Sequence, residues 1–394
     1  MFTPTSIATT ITIVALVAIG PMATDMYLPA FPALMREFGV NAAQVQRTLS
    51  VFLLGFAIAQ LAYGPLSDRF GRKPVLLGGM LLCLLSSIGA ALSTSIESLT
   101  LMRLLQAAGG SAGPVLGRAM VRDIHGPRES ARLLSYIAAA MAVAPAAAPL
   151  LGGYMTIWFG WKSIFICLFL YGLAGMLVLA WKIPETAPAG SHRVLTARAM
   201  LRDYGSLLRD RRWRGYTVCL SGVYAGLFAF LSGSTFIIID FLGYPEQHFG
   251  LFFALVVCGY ISGTLSAGKL AGRLPTRTLV GYGSAIAAGS GCLMAGLALA
   301  EVHNVWAIVL PQMVFMLGSG IVMPQALAGG LAPYPHMAGT SSALIGFIQM
   351  MSAAAVGALV GQLHDGTPLT MALAVGASGL VALLSYSRLP KGCS

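Results

Sequence analysis

Twelve apolar runs, each long enough to cross a bilayer, divide this chain, and most of its charge lies in the short breaks between them. They cover 7–31, 46–65, 74–93, 98–121, 130–156, 162–182, 214–240, 249–271, 278–300, 304–327, 336–362 and 367–387. Crossing lipid takes about 20 apolar residues as a helix. Lipid offers no partner to an unpaired backbone group, so every run is expected to be helical. Hydrophobic residues make up 57% of the chain and charged residues 9%, which excludes an ordinary soluble domain. The first run is too long for a cleaved signal and lacks a small-residue cleavage site before further spans, so it is expected to stay as the first helix.

The formal net charge of +11 raises the possibility of a nucleic-acid partner, but its distribution explains it differently. With both termini cytoplasmic, 19 of the 24 basic residues fall in inside loops. The long central loop alone holds Lys182, Arg193, Arg198, Arg202, Arg209, Arg211, Arg212 and Arg214. That bias is a topology signal, and nucleic-acid binding is not needed. The six cysteines are scattered singly without a CxxC or Cys/His cluster, so no disulfide framework or metal site is expected.

Residues 183–213 form the one linker, with Pro184, Pro188 and Gly190 followed by an Arg-rich segment suited to lie along the membrane surface as a helix. It separates an N-terminal half, 1–182, from a C-terminal half, 214–394. Gly268–Arg277 repeats part of Gly64–Lys73 at an offset of 204 residues, and the span map repeats at the same offset. The expected fold is therefore an all-α membrane protein of twelve transmembrane helices in two pseudo-symmetric six-helix halves.

Asp25 is the one acid placed well inside a span, between Pro21 and Pro29, which loosen the helix and admit water. Burying a carboxylate costs several kcal/mol, so the group must be paired, hydrated or protonated. An acid poised among those states is suited to carry a proton; capping at the outer end of the span is the plainer alternative. Arg103 lies roughly 9 Å below the outer end of its span at about 1.5 Å per residue, a depth similar to that of Asp25. A guanidinium there stays charged and needs an anion, a polar cavity or a substrate. Arg118, one turn from Arg122 and Asp123, reads as a snorkelling or gate-pairing residue.

Gly64-Pro-Leu-Ser-Asp-Arg-Phe-Gly-Arg-Lys73 carries four charges in ten residues and is expected to form a tight loop at the membrane face. Its pattern resembles the signature loop between helices 2 and 3 of the major facilitator superfamily. The run Leu99-x-x-x-Arg103-x-x-Gln106-x-x-Gly109-Gly110 resembles that superfamily's span 4 motif. Ala144-Pro145 with Ala148-Pro149-Leu-Leu-Gly152-Gly153 resembles its antiporter motif. The blocks Thr24–Pro32, Gly117–Asp123 and Ala338–Leu344 are similar to the Bcr/CflA group of bacterial drug:proton antiporters.

The resemblance implies a multi-pass, monomeric protein of the bacterial inner membrane that exports small amphipathic drugs of chloramphenicol or bicyclomycin type. It would use no cofactor and be driven by the proton gradient. Asp25 and Arg103 would couple transport to protons. Gly64, Asp68, Arg69, Gly71, Arg72, Arg118, Arg122, Asp123, Pro145, Pro149 and Gly152 would govern gating. Asp123 is the expected partner of the loop charges, and the helix N-terminus near Met337 is expected to attract Asp68.

Tyr27, Met141, Tyr224, Phe228, Phe315, Gln349 and Met350 are candidates for an apolar, adaptable substrate cavity together with Asp25 and Arg103. Asp25 and Arg103 map onto Ala229 and Ala307 at the offset of 204, which places the coupling chemistry in the N-terminal half. A metabolite exporter of the same fold, or a non-transporting receptor or lipid-handling protein, is the competing reading. No nucleophile–base pair, phosphate loop or metal cluster points to an enzyme.

Overall fold

The computed structural model describes residues 7–124, 147–186, 197–271, 273–334 and 338–389. All regular structure among them is helical: α1 (Ile7–Asp25), a short 3-10 turn (Leu28–Ala30), α2 (Phe31–Phe38), α3 (Ala42–Phe70), α4 (Arg72–Ala91), α5 (Ile96–Gly110) and α6 (Ala112–Ile124). A helix over 147–159, here α7, precedes α8 (Lys162–Lys182) and α9 (Ala197–Arg209). The remainder is α10 (Arg211–Thr235), continued by a π-helical turn (Phe236–Phe241), then α11 (Glu246–Leu270), α12 (Thr276–Leu299), α13 (Trp306–Leu331), α14 (Ala338–Gln362) and α15 (Leu369–Ser387). Ten helical spans among the described residues are long and apolar enough to cross a membrane. The chain is thus an all-helical, multi-pass membrane protein.

Several boundaries differ from the sequence expectation for local reasons. The run at 98–121 is two helices that meet at Ser111, after the weak helix formers Gly109 and Gly110. The run at 7–31 breaks after Asp25. The linker contains α9, and α10 starts at Arg211 because the Asp210 carboxylate caps it, accepting the amides of Arg212 (2.6 Å) and Trp213 (3.3 Å).

The chain forms two compact units: residues 1–40 with 51–195, and residues 41–50 with 196–394. In the first, α4 packs on α5 and α8, and α1 packs on α6 and α8. Ile13, Leu16, Val17, Leu76, Met80 and Leu116 form the centre of that core. In the second, α12 packs on α13 and α15, α11 on α13, and α10 on α14 and α15. Gly259 and Gly263 act as the packing residues their spacing suggests: a β-carbon on either would lie 2.9 Å from a carbonyl carbon of α13. Residues 41–50 join the second unit through Gln46, whose Nε2 donates to Ser232 Oγ at 2.7 Å beside Gly357.

Candidate functional site

The proline spacing around Asp25 shapes the site. Pro29 has no N–H, and its ring collides with the carbonyl four residues back, which belongs to Asp25. The helix accordingly stops at Asp25, and the chain turns through Met26 and Tyr27 before the 3-10 turn. Thr24 Oγ1 donates to the Pro21 carbonyl at 2.8 Å, a back-bond within the last turns of α1. Asp25 is 5% exposed, so its carboxyl sits at a helix break inside the protein.

Arg103 is fully buried on α5. Its NH1 donates to the Ala23 carbonyl at 3.0 Å and to Gln106 Oε1 at 2.6 Å. Gln106 Nε2 in turn donates to Ser87 Oγ at 2.8 Å on α4, so the amide is oriented from both ends. Three rings enclose the guanidinium carbon: Phe52 at 4.1 Å, Tyr27 at 4.5 Å and Phe165 at 5.9 Å from their centroids. Each such contact offsets part of the desolvation of the charge, by about 0.5–2 kcal/mol. The remaining edge, Nε and NH2, has no hydrogen-bond partner among the described residues. Arg103 therefore meets α1 at a backbone carbonyl two residues before Asp25, rather than in a closed ion pair with its carboxylate. One edge of the cation is held and the other is free to accept an anionic or carbonyl partner.

The signature stretch, expected as a tight loop, is helical except at Gly71. α3 continues through Phe70, and Gly71 alone breaks the helical path, with φ +93° before α4 begins at Arg72. Arg72 Nε pairs with Asp123 Oδ2 at 3.0 Å, while its NH1 donates to Ser67 Oγ at 2.5 Å. Glu185, beyond the end of α8, accepts the Arg72 amide at 3.0 Å and the Lys73 amide at 3.2 Å. Its carboxylate thereby neutralises the exposed amides and dipole at the start of α4. Lys73 Nζ closes the same junction by donating to the Ala180 carbonyl at 2.8 Å. A β-carbon at Gly71 would lie 2.5 Å from Glu185 Oε2, so this glycine supplies both the positive φ and the room for the carboxylate.

Other gating candidates are placed unevenly. Gly64 lies inside α3 with open space where a β-carbon would project. Arg69 is exposed, its guanidinium over the Phe70 ring at 5.1 Å, and Arg118 is half-buried on α6. The side chains of Asp68 and Arg122, and the whole of Met141, Pro145 and Met337, lie outside the described residues. Pro149 is buried in α7. Gly152 packs against the backbone of Met26, the residue following Asp25, where a β-carbon would come within 2.7 Å of the carbonyl carbon.

In the second unit, the rings of Tyr224 and Phe228 meet at a tilt of 45° with centroids 4.9 Å apart, and Tyr224 Oη contacts Met350 Sδ at 3.8 Å. Gln349 and Met350 are half-buried. Phe315 is fully buried, with its ring against Gly226 in the packed core of this unit rather than on a wall. Among the described residues of this unit no Asp, Glu, His, Lys or Arg is buried, and Ser, Thr and Gln supply most of the buried polar side chains.

Comparison with known proteins joins these features. The Major Facilitator Superfamily model matches residues 13–358. This chain belongs to the Major Facilitator Superfamily. The bicyclomycin resistance protein homolog of Haemophilus influenzae is 30% identical over 366 residues, covering 93% of this chain and 92% of its own. A chloramphenicol resistance protein of Pseudomonas aeruginosa is 33% identical over 338 residues, covering 83% and 77%. A D-xylose-proton symporter shares the fold with TM-score 0.73 at 16% identity, covering 98% of this chain and 99% of that one.

Membership of the superfamily makes the chain a transporter rather than an enzyme. It also sets apart what sequence reasoning missed. Glu185 lies 113 residues from the amide it caps, and a single acid after a span carries no signal of that contact. The rings around Arg103 come from the turn after α1, from α3 and from α8, so no local pattern marks them.

Proposed function

We propose that this transporter exports small amphipathic drugs, of the chloramphenicol or bicyclomycin type, in exchange for protons. The observation that carries the reading is the buried Asp25 at a helix break beside a buried arginine with one open edge. A proton entering from the outer face neutralises Asp25 and favours drug release. In the inward-facing state the proton leaves, and the ionised carboxylate is compensated by drug or by the free edge of Arg103. Each cycle moves a proton inward and a drug molecule outward, so no cofactor enters the scheme. The rings around Arg103 keep the cation tolerable while Asp25 is neutral, which spares the cycle an uncompensated buried charge.

Gating is assigned to the Arg72–Asp123 pair, the Glu185 cap and the Gly152–Met26 contact. The first two hold the junction between α3 and α4; the third holds the turn that carries the coupling acid. The protein is placed as a monomer in the bacterial inner membrane with both termini in the cytoplasm, in accord with the bias of its basic loops.

Reconstitution into sealed proteoliposomes with an imposed pH gradient tests this reading. A pH dye follows the lumen while chloramphenicol-like, bicyclomycin-like and cationic drugs are added in turn. Drug-dependent proton release is the expected result. Silence across the panel from folded protein would overturn drug:proton exchange and favour export of a metabolite.

A further inference from the structure

The second unit carries an asymmetry that transport chemistry does not use. At the end where α10 begins and α15 finishes, Arg202, Arg209, Arg211, Arg214, Lys269 and Arg388 are all exposed. Among the described residues no exposed acid lies at that end. Asp203 is half-buried, and Asp210 is engaged by the α10 amides and by the Tyr334 hydroxyl. The exposed acids of this unit, Asp240, Glu301 and Asp365, all lie at the opposite end.

Two independent observations say what meets this basic rim. The first is its register with the apolar surface. Arg214 stands one turn from Val218 (38% exposed), Lys269 one turn from Leu265 (62%), and Arg388 one turn from Leu384 (58%). Residues four apart share a helix face. Three separate helices thus pass from an exposed apolar side chain to an exposed cation within a single turn, as a surface does where acyl chains give way to headgroups. The second is the setting of α9. It packs against α10 and α14, and Leu207 on its inner side is fully buried. Leu207 is covered by the protein itself, while Leu208 beside Arg209 is 46% exposed, so α9 is anchored to the bundle and still offers an apolar side chain next to its cations. Arg202 and Arg209, seven residues apart on one face of α9, are both exposed.

We propose that this rim binds the headgroups of anionic phospholipids, with α9 as its principal contact. Attraction to an anionic surface is worth about 1 kcal/mol for each basic residue near it, and it fades within a Debye length. The cations are spread over α9, α10, α11 and α15, so their contributions sum only on a ligand that is itself a surface. A soluble anion would meet one or two at a time, which is why lipid rather than free phosphate is the occupant.

The test uses full-length protein in phosphatidylcholine vesicles and in vesicles where part of that lipid is replaced by phosphatidylglycerol of the same acyl chains. Thermal unfolding should rise by several degrees with phosphatidylglycerol, and the rise should shrink as salt is added. The triple variant Arg202→Gln, Arg209→Gln, Arg211→Gln should keep the wild-type midpoint in phosphatidylcholine yet lose at least half of the rise. Replacing the same three residues by lysine should restore it. Equal midpoints for wild type in both lipids, or a full rise in the glutamine variant, would overturn the proposal. So would an equal rise produced by soluble glycerol phosphate, which would point to a free-anion site.

Discussion

Gly152→Ala should disturb the coupling acid through the backbone rather than through any lost polar contact. The added β-carbon would lie 2.7 Å from the Met26 carbonyl carbon. Carbon atoms pack at about 3.5 Å and the Met26 carbonyl oxygen lies nearer still, so α7 and the turn after Asp25 must separate by at least ~0.8 Å. Overpacking of this kind costs about 1–3 kcal/mol. For a unit of this size each kcal/mol lowers Tm by about 2–4 °C, so a fall of several degrees is expected. Pro29 and Pro21 restrict how the turn yields, so the displacement is expected to reach Asp25 and reduce drug-driven proton exchange at least tenfold. Gly296→Ala on α12 is the control, because nothing lies within 4 Å of its added carbon. That variant should match or slightly exceed wild-type stability, since alanine is the better helix former by about 1 kcal/mol. Thermal unfolding and proteoliposome exchange measured on both variants decide the matter. An unchanged Tm and exchange rate for Gly152→Ala would refute the close-packing argument.

Phe52→Leu removes the ring nearest the Arg103 guanidinium and should cost about 0.5–2 kcal/mol of stability, read by thermal unfolding, with exchange impaired more than the shift in Tm explains. Glu185→Ala leaves the first amides of α4 uncapped; a loss of about 0.5–2 kcal/mol and faster hydrogen exchange confined to the segment at Arg72 and Lys73 are expected. Burial opposes ionisation of Asp210, but bonds from the Tyr334 hydroxyl and the amides of Arg212 and Trp213 outweigh it and hold the carboxyl below its ordinary range. A carboxyl depressed in the folded state contributes stability above its unfolded pKa, and that stability is lost as pH falls through the folded value. Acid unfolding monitored from about pH 5 downward should therefore show a shallower dependence in Asp210→Asn than in wild type.

The span pattern was readable because lipid forces backbone groups to pair within each segment, which makes apolar length a direct sign of a helix. Asp25 stood out for the same reason: a lone acid in an apolar run has few inexpensive explanations. Helix ends were less legible. The charged stretch at Gly64–Lys73 suggested a loop, yet charge alone does not stop a helix at a membrane face, and α3 persists to Phe70 until Gly71 turns the chain. Contacts across the fold left no trace in sequence. Phe315 has the composition of a cavity wall but sits over Gly226 because a missing side chain there admits its ring. Arg103 invited an acid partner, whereas the structure surrounds it with three rings and a backbone carbonyl drawn from separate elements.

The most direct test of the central claim is Asp25→Asn in proteoliposomes, with drug uptake driven by a pH gradient measured beside drug–drug exchange without one. Exchange moves the drug through both faces of the cycle with no net proton transfer, so it reports folding and switching alone. The account predicts that the variant loses gradient-driven transport while exchange survives. Gradient-driven transport at the wild-type rate in Asp25→Asn would contradict it.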